Sequence, residues 1–216
     1  MLEKMGEFFD ARLDGYEDHQ LNCIEGAREF YPFSASLLPN FENARVLDLG
    51  CGTGLELNYY FELNPRSKLT CIDLAHGMLA ELKRKFAKYE LEIIVGSYFD
   101  VPLGENTYDS AISVESLHHF TKEEKTPLYK KIRESLRDNG YFILTDYFAD
   151  TELDEKRFRS ELTRLKKEQG IHDGEFYHYD TPLTLENELD ALRSGGFSKI
   201  ELLGRWGATC CLKCIK

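Results

Sequence analysis

The residues best suited to chemistry begin with Asp48-Leu49-Gly50-Cys51-Gly52-Thr53-Gly54. A carboxylate stands two positions ahead of glycines spaced G-x-G-x-G. Glycine permits a positive φ and a close backbone approach to a ligand, and a helix opening after the turn offers free amides beside it. Dinucleotide sites space their glycines G-x-G-x-x-G, the third seating the helix on the strand; here position 55 is Leu. An ionised Asp48 would repel a pyrophosphate and suits a cationic amine or sulfonium. Asp73 lies about twenty residues beyond the last glycine, where a carboxylate at a strand end can accept both hydroxyls of a ribose. His118 and His119 follow an apolar strand. Neutral imidazole titrates near physiological pH, so either could accept a proton, or serve only to pack and hydrogen-bond a loop. Cys211 and Cys214 form a C-x-x-C with no second pair, inside a stretch that reads as a strand. Side chains alternate on a strand, so the two thiols face opposite sides. Buried free thiols are expected there, and no metal ligand set.

Periodicity supplies the elements that must position these residues. Arg45 to Leu49 is a short apolar strand, and Leu55, Tyr59 and Leu63 have helical spacing after the turn. Lys68 to Asp73 is a second strand, followed by a helix with Met78, Leu79, Leu82 and Phe86 on one face. Leu91 to Val95 is a third strand, and Tyr108 to Val114 a fourth, apolar enough to be buried on both faces as in a parallel sheet. The fourth runs into Glu115-Ser116-Leu117-His118-His119-Phe120. Open α/β sheets bind ligands outside the carboxyl ends of their strands, so topology puts these residues at the site. Thr121 to Glu124 is a capping box for a helix carrying Leu128, Ile132 and Leu136, which Asn139-Gly140 stops. Tyr141 to Asp146 is the fifth strand. Such alternation requires parallel pairing through helical crossovers, an α/β doubly wound sheet.

From Asp150 the pattern changes. Glu152 to Gln169 is a charged helix with a narrow apolar stripe. Ile171 to Asp180 is a connection rich in aromatics and histidines and too long for a tight turn. Thr184 to Ser194 is the last helix, ended by Gly195-Gly196, and Phe197 to Gly204 and Ala208 to Ile215 are strands. At the other end, Phe8, Phe9, Tyr16 and His19 precede a helical stretch from Leu21 to Leu38, kinked at Pro32. At 216 residues with 42% hydrophobic and 30% charged residues, one soluble domain is expected. The net charge of −11 argues against a broad phosphate grip on nucleic acid. With no long apolar run and no signal-peptide core, the expected compartment is the cytoplasm.

Val46 to Gly54, as Val-Leu-Asp-Leu-Gly-Cys-Gly-Thr-Gly, resembles the first motif of the class I S-adenosylmethionine-dependent methyltransferases of small-molecule type. The resemblance covers nearly the whole chain, strongest from Arg45 to Phe120 and weakest between Asp150 and Thr181. It implies a single domain over residues 1–216: a Rossmann-like, mostly parallel seven-stranded sheet with helices on both faces and a terminal antiparallel hairpin. An N-terminal helical cap would span residues 1–40 and a helical lid residues 150–183. The implied cofactor is S-adenosylmethionine and the product S-adenosylhomocysteine. Asp48 and the backbone around Gly50, Cys51 and Gly52 would hold the methionine end, and Asp73 the ribose. Adenine would lie between Leu74 and Met78 on one side and Ser97 and Tyr98 on the other. Family members often carry Gly-Asp where this chain has Gly96-Ser97, and the acid comes later, as Asp100. The main chain of Val114 and Glu115 would line the route to the methyl group. Tyr16 would either contact the cofactor or pack on the domain.

The implied reaction is in-line methyl transfer to a small-molecule acceptor, with His118 or His119 as the base where the acceptor carries an acidic proton. Tyr147, with His172, Tyr177, His178 and Tyr179 of the lid, would face the acceptor. Membrane and nucleic acid are not expected partners. A methyltransferase acting on RNA or protein, and a non-catalytic S-adenosylmethionine-binding module, remain alternatives. Leu189 to Lys216 is also similar to enzymes of tRNA wobble-uridine modification that handle a carboxylated cofactor, but their lid arginine has no counterpart in Tyr177 to Leu183.

Overall fold

In the computed structural model, which describes residues 1–172 and 174–216, the apolar runs pair into one seven-stranded sheet. The helices α1 (Met5–Asp10), α2 (Tyr16–Cys23) and α3 (Ala27–Ser36) precede it. Strands β1 (Arg45–Leu49), β2 (Lys68–Asp73) and β3 (Glu90–Val95) alternate with α4 (Leu55–Leu63) and α5 (His76–Lys85). Strands β4 (Tyr108–Val114) and β5 (Leu136–Tyr147) flank α6 (Lys122–Ser135), and α7 (Glu152–Glu168) and α8 (Leu185–Ser194) lead to β6 (Lys199–Trp206) and β7 (Thr209–Ile215). The spatial order is β3-β2-β1-β4-β5-β7-β6. The first five strands pair in parallel, and β7 runs antiparallel to both β5 and β6. Strand order reverses between β1 and β4, and at such a point an open α/β sheet leaves a crevice at its carboxyl edge.

Strand alternation divides the core into two layers. Val46, Cys71, Ile112 and Val114 pack with Phe30, Leu57, Tyr60 and Leu82 on one face of the sheet. Leu47, Leu49, Ile72 and Leu144 pack with Leu128, Tyr129, Ile132 and Leu192 on the other. Cys211 and Cys214 fall in different layers, both buried and free, as alternation requires. In the second layer the ammonium of Lys125 and the hydroxyl of Tyr129 both bond the carboxylate of Glu188, a buried link between α6 and α8.

Two boundaries differ from the sequence expectation. The stretch from Leu21 to Leu38 breaks into α2 and α3 at Gly26 (φ +78°), and Pro32 lies inside α3. A Cβ at Gly26 would come within 2.4 Å of the Trp206 side chain, so close contact with β6 sets the break. Helix α6 opens with the expected capping box, Glu124 N donating to Thr121 Oγ1 and Thr121 N to Glu124 Oε2. It ends at Ser135 rather than at Asn139-Gly140, because Leu136 is already extended and pairs with Tyr108. Asn139 (φ +63°) then falls within a register shift of β5. Asp173, within the connection from Ile171 to Asp180, lies outside the described residues. No helix among those described is long and apolar enough to cross a membrane.

Candidate functional site

The turn after β1 adopts positive φ at Gly50 (+71°) and Gly52 (+49°), conformations that L side chains rarely take. A Cβ on Gly50 would sit 1.9 Å from Ser116 Oγ, so the loop after β4 is packed directly against the turn. Gly52 N donates to Asp73 Oδ2 and Ala75 N to Asp73 Oδ1, each at 2.8 Å. Burial pushes the Asp73 carboxyl above its ordinary value, and these amides offset part of the rise. Each oxygen keeps a lone pair for a ligand. Beside them lies a cavity walled by Gly50, Gly52, Asp73, Leu74, Met78, Tyr98, Glu115 and Ser116, with Met5, Phe9 and Tyr16 covering it.

This cavity suits a nucleoside with an apolar base face. It offers a strand-end carboxylate, an apolar wall and a glycine cradle whose Cβ would point toward Tyr16, 3.7 Å from its hydroxyl. The cap is tied down around it. Thr53 Oγ1 donates to Glu17 Oε1 (2.6 Å), Lys85 pairs with the same carboxylate, and Gly77 N donates to Asp10 Oδ1 (2.7 Å) at the start of α5.

Among the residues expected at the cofactor, the side chains of Asp48, Cys51, Ser97 and Val114 do not line this cavity, Cys51 and Val114 having been expected there through their main chain. Asp48 has the strand parity of Val46, so its side chain enters the layer beneath α4 and does not line the cavity. It is 1% exposed, and its Oδ2 has no hydrogen-bond partner among the described residues. Burial first, and the neighbouring Glu56 next, raise its carboxyl well above the ordinary value. Cys51 is buried in the same layer. Val114 is buried too, and Glu115 occupies the cavity wall in its place, at φ +51°. Ser97 Oγ accepts from Phe99 N (3.1 Å) within its own turn.

A larger cleft of about 820 Å³ opens beside the first. Its walls come from five separate stretches: Phe8, Phe9 and Tyr16 in the cap, Glu115, His118 and His119 after β4, Tyr147 ending β5, His178 and Asp180 in the connection, and Trp206 and Thr209 in the hairpin. His118 Nδ1 lies 2.6 Å from Asp146 Oδ1, and Asp146 also accepts from Leu117 N (2.8 Å) and Tyr147 N (3.0 Å). Burial would lower His118, but Asp146, with Asp180 and Glu115, outweighs it and lifts the imidazole to about 9. His119 is pushed down to about 4 by burial and by the positive charge of His118. Glu115 is pushed up to about 8 by burial and then by Asp146.

The connection reaches this cleft because it is extended and pinned to the N-terminus. Met5 N donates to Phe176 O (2.9 Å), His178 N to Glu3 O (3.0 Å), and the His178 ring stacks on Phe8 at 3.5 Å. Alternation then turns His178 and Asp180 inward. Tyr177 and His172 instead line a separate cavity against α7, and Tyr179 lines neither, offering only its carbonyl, 3.4 Å from His119 Nδ1. Of the residues expected at the acceptor, Tyr147 and His178 bring their side chains to the two histidines, Tyr179 only its carbonyl, and His172 and Tyr177 line the other cavity. Asp146 and Asp180 were missing from the expectation. Asp146 stands at the carboxyl end of the fifth strand, one residue before β5 ends, much as Asp73 ends β2. Asp180 shares the parity of His178, so topology and period gave a signal for each.

Residues 46–140 match the family profile described as a methyltransferase domain. The carboxy-S-adenosyl-L-methionine synthase of a Nitratiruptor species is 28% identical over 221 residues, spanning 95% of this chain and 90% of that protein. The malonyl-(acyl-carrier protein) O-methyltransferase of Geobacter sulfurreducens is 26% identical over 164 residues, 74% of this chain and 58% of that one. Among solved structures, the DhpI-SAM-HEP complex superposes with a TM-score of 0.70 at 15% identity, covering 96% of this chain and 94% of its own, which speaks for the fold. Sequence motif, sheet order and relatives agree in supporting a class I S-adenosylmethionine-dependent methyltransferase, its methyltransferase domain matched over residues 46–140, with S-adenosylmethionine as cofactor.

Proposed function

We propose that this enzyme methylates a small-molecule acceptor held in the cleft beneath its N-terminal cap. The observation that carries this is a shared wall: Phe9, Tyr16, Glu115 and His119 line both cavities, so ligands in the two would meet there. A cleft of about 820 Å³ is of the size that small-molecule ligands fill. Glu115 and Asp180 in its wall, with the chain's net charge of −11, disfavour a nucleic-acid backbone. The O-methyltransferase among the relatives supports a heteroatom as the accepting atom.

S-adenosylmethionine supplies an electrophilic methyl group on a sulfonium. The protein then has to place the acceptor in line and keep water out. Asp73 would accept the ribose hydroxyls through the lone pairs that the Gly52 and Ala75 amides leave free. Leu74 and Met78 would face one side of the adenine and Tyr98 the other. The backbone of Gly50 and Gly52 would approach the methionine end. Where the acceptor carries a proton, His119 is the group at the junction able to take it, since burial keeps its imidazole neutral at physiological pH. His118, held protonated by Asp146, would instead fix the loop.

The test is a screen of small-molecule acceptors scored by S-adenosylhomocysteine release. Calorimetry with S-adenosylhomocysteine should show one site. Turnover confined to RNA or protein substrates would overturn the small-molecule assignment.

A further inference from the structure

We propose that His118, His119 and Asp180 form a binding site for a divalent transition-metal ion of the zinc type, with an open coordination position facing the acceptor cleft. His118 Nε2 lies 3.6 Å and His119 Nδ1 3.1 Å from Asp180 Oδ1, and the donor atoms of all three residues fall within 4.8 Å of one another. Around an ion with bonds of about 2.0–2.1 Å, neighbouring donors in a tetrahedron stand roughly 3.3 Å apart. The set is preassembled to within small side-chain movements. Two imidazoles with one carboxylate select a borderline transition ion over magnesium or calcium, which prefer oxygen alone.

Three further observations point to a cation at this place. Asp180 Oδ1 is hidden from solvent and has no hydrogen-bond partner among the described residues. Two imidazole nitrogens of His118 and His119 and a third, His178 Nε2 at 3.9 Å, crowd that oxygen without an aligned hydrogen bond to it, His119 Nδ1 being shared with the Tyr179 carbonyl at 3.4 Å. The far nitrogen of His118 is held at 2.6 Å by Asp146, itself 1% exposed and fixed by the amides of Leu117 and Tyr147. A carboxylate behind the imidazole is how metal-ligating histidines are oriented, and it leaves Nε2 facing Asp180. The other grouping of donors, Glu115 with His118 and Asp146, shares His118, whose Nδ1 is already 2.6 Å from Asp146 Oδ1. His118, His119, His178 and Asp180 all line the acceptor cleft, so the ion would have three firm ligands, His178 within reach as a fourth, and a face toward the acceptor.

What the ion would do rests on the methyl-transfer proposal, whereas its binding does not. A hydroxyl or thiol acceptor taking the open position loses its proton to solvent more readily. Its oxygen or sulfur then forms the new bond to the methyl carbon, as the carbon–sulfur bond of the sulfonium breaks and the thioether leaves with the electron pair. With the ion in place, His118 has released its Nε2 proton to solvent and keeps the Nδ1 proton toward Asp146. His119 is then a ligand, and ionisation of the acceptor replaces its proton acceptance.

The experiment is a zinc titration of the chelator-stripped full chain against a chromophoric competitor, read without any acceptor. One ion per chain is expected. Asp180→Asn and His119→Ala should each weaken zinc binding at least a hundredfold, and Asp146→Asn ten- to a hundredfold. Glu115→Gln should leave it unchanged. S-adenosylhomocysteine binding, measured on every variant, reports the fold and the methyltransferase assignment separately. Cobalt(II) bound to the unaltered chain should show the strong visible absorption of a low-coordinate nitrogen and oxygen site, which needs no variant to fold. Absence of stoichiometric zinc binding, a pale octahedral cobalt spectrum, or undiminished affinity in Asp180→Asn would each overturn the proposal.

Discussion

Asp73 and Asp180 stand on two sides of the same crevice and are held in opposite ways. Asp73 is bonded by the backbone amides of Gly52 and Ala75, within a strand and the turn beside it. Asp180 meets imidazoles, two of them from a loop some sixty residues earlier in the chain, and the Tyr147 hydroxyl at the end of β5, and among the described residues its Oδ1 has no aligned hydrogen bond. The first arrangement is backbone geometry that the β1 turn enforces wherever that turn forms. The second exists only once the cap, the loop after β4, the end of β5 and the connection have come together. On the proposed assignment of the two cavities, cofactor recognition is local and rigid, and acceptor recognition is assembled from side chains on separate segments.

The largest test of the rigid side is Gly52→Leu. A Cβ there meets nothing closer than the Tyr16 hydroxyl at 3.7 Å, so the side chain would grow into the cavity between turn and cap. At φ +49° the substitution strains the backbone by about 1–3 kcal/mol, well short of unfolding a domain of ordinary stability. S-adenosylhomocysteine binding should fall more than about a hundredfold, beyond some 2.8 kcal/mol, while circular dichroism keeps the native spectrum. Retained binding would show that the cofactor does not pass between Gly52 and Tyr16.

Asp73→Ala should come next. Hydrogen bonds to a charged group contribute about 1.5–3 kcal/mol, which is roughly ten- to a hundredfold in the dissociation constant. Calorimetry with S-adenosylhomocysteine reads it directly. An unchanged constant would move the ribose contact to another residue. On the assembled side, His178→Ala removes the stack on Phe8 and one imidazole from the cleft. We expect the acceptor's KM to rise several-fold with S-adenosylhomocysteine affinity within about twofold, the separation expected of a residue that binds only the acceptor. Parallel losses in both constants would erase the distinction between the two sides.

The same contrast explains what could be read in the sequence. The G-x-G-x-G turn, Asp73 at its strand end, the capping box at Thr121 and the opposed faces of Cys211 and Cys214 are each decided by residues a few positions apart or by a fixed period. All of them appear in the structure. Tyr177 and Tyr179 drew attention by being aromatic, but the inward parity of the connection belongs to His178 and Asp180. Nothing local says which parity faces in, because that is set by the pairing of Glu3 and Met5 with His178 and Phe176. Asp146 was legible as the end of a strand, and its bond to His118 required the tertiary fold. The end of α6 was misplaced for a related reason. Leu136 is recruited into the sheet by Tyr108, a partner from another strand.

Asp48 is the finest test, since it lies in the most legible motif and faces away from the cavity. Its carboxyl and that of Glu56 share a dry layer beneath α4, and burial raises both above their ordinary values. Unfolded, they would titrate near about 3.9 and about 4.3. The folded chain thus keeps protons that the unfolded chain has released. Their contribution is fully present below those unfolded values and is lost as pH rises through the raised folded ones. Asp48→Asn keeps the shape and removes one titration, so the variant should gain stability relative to the unaltered chain as pH climbs through that window. Urea unfolding followed at several pH values reads the change in slope. Cofactor affinity should stay within about twofold, because the side chain does not line the cavity. A loss of S-adenosylhomocysteine binding as large as that of Asp73→Ala would instead return this carboxylate to the cofactor, and the rigid side of the crevice would then include the layer beneath the turn.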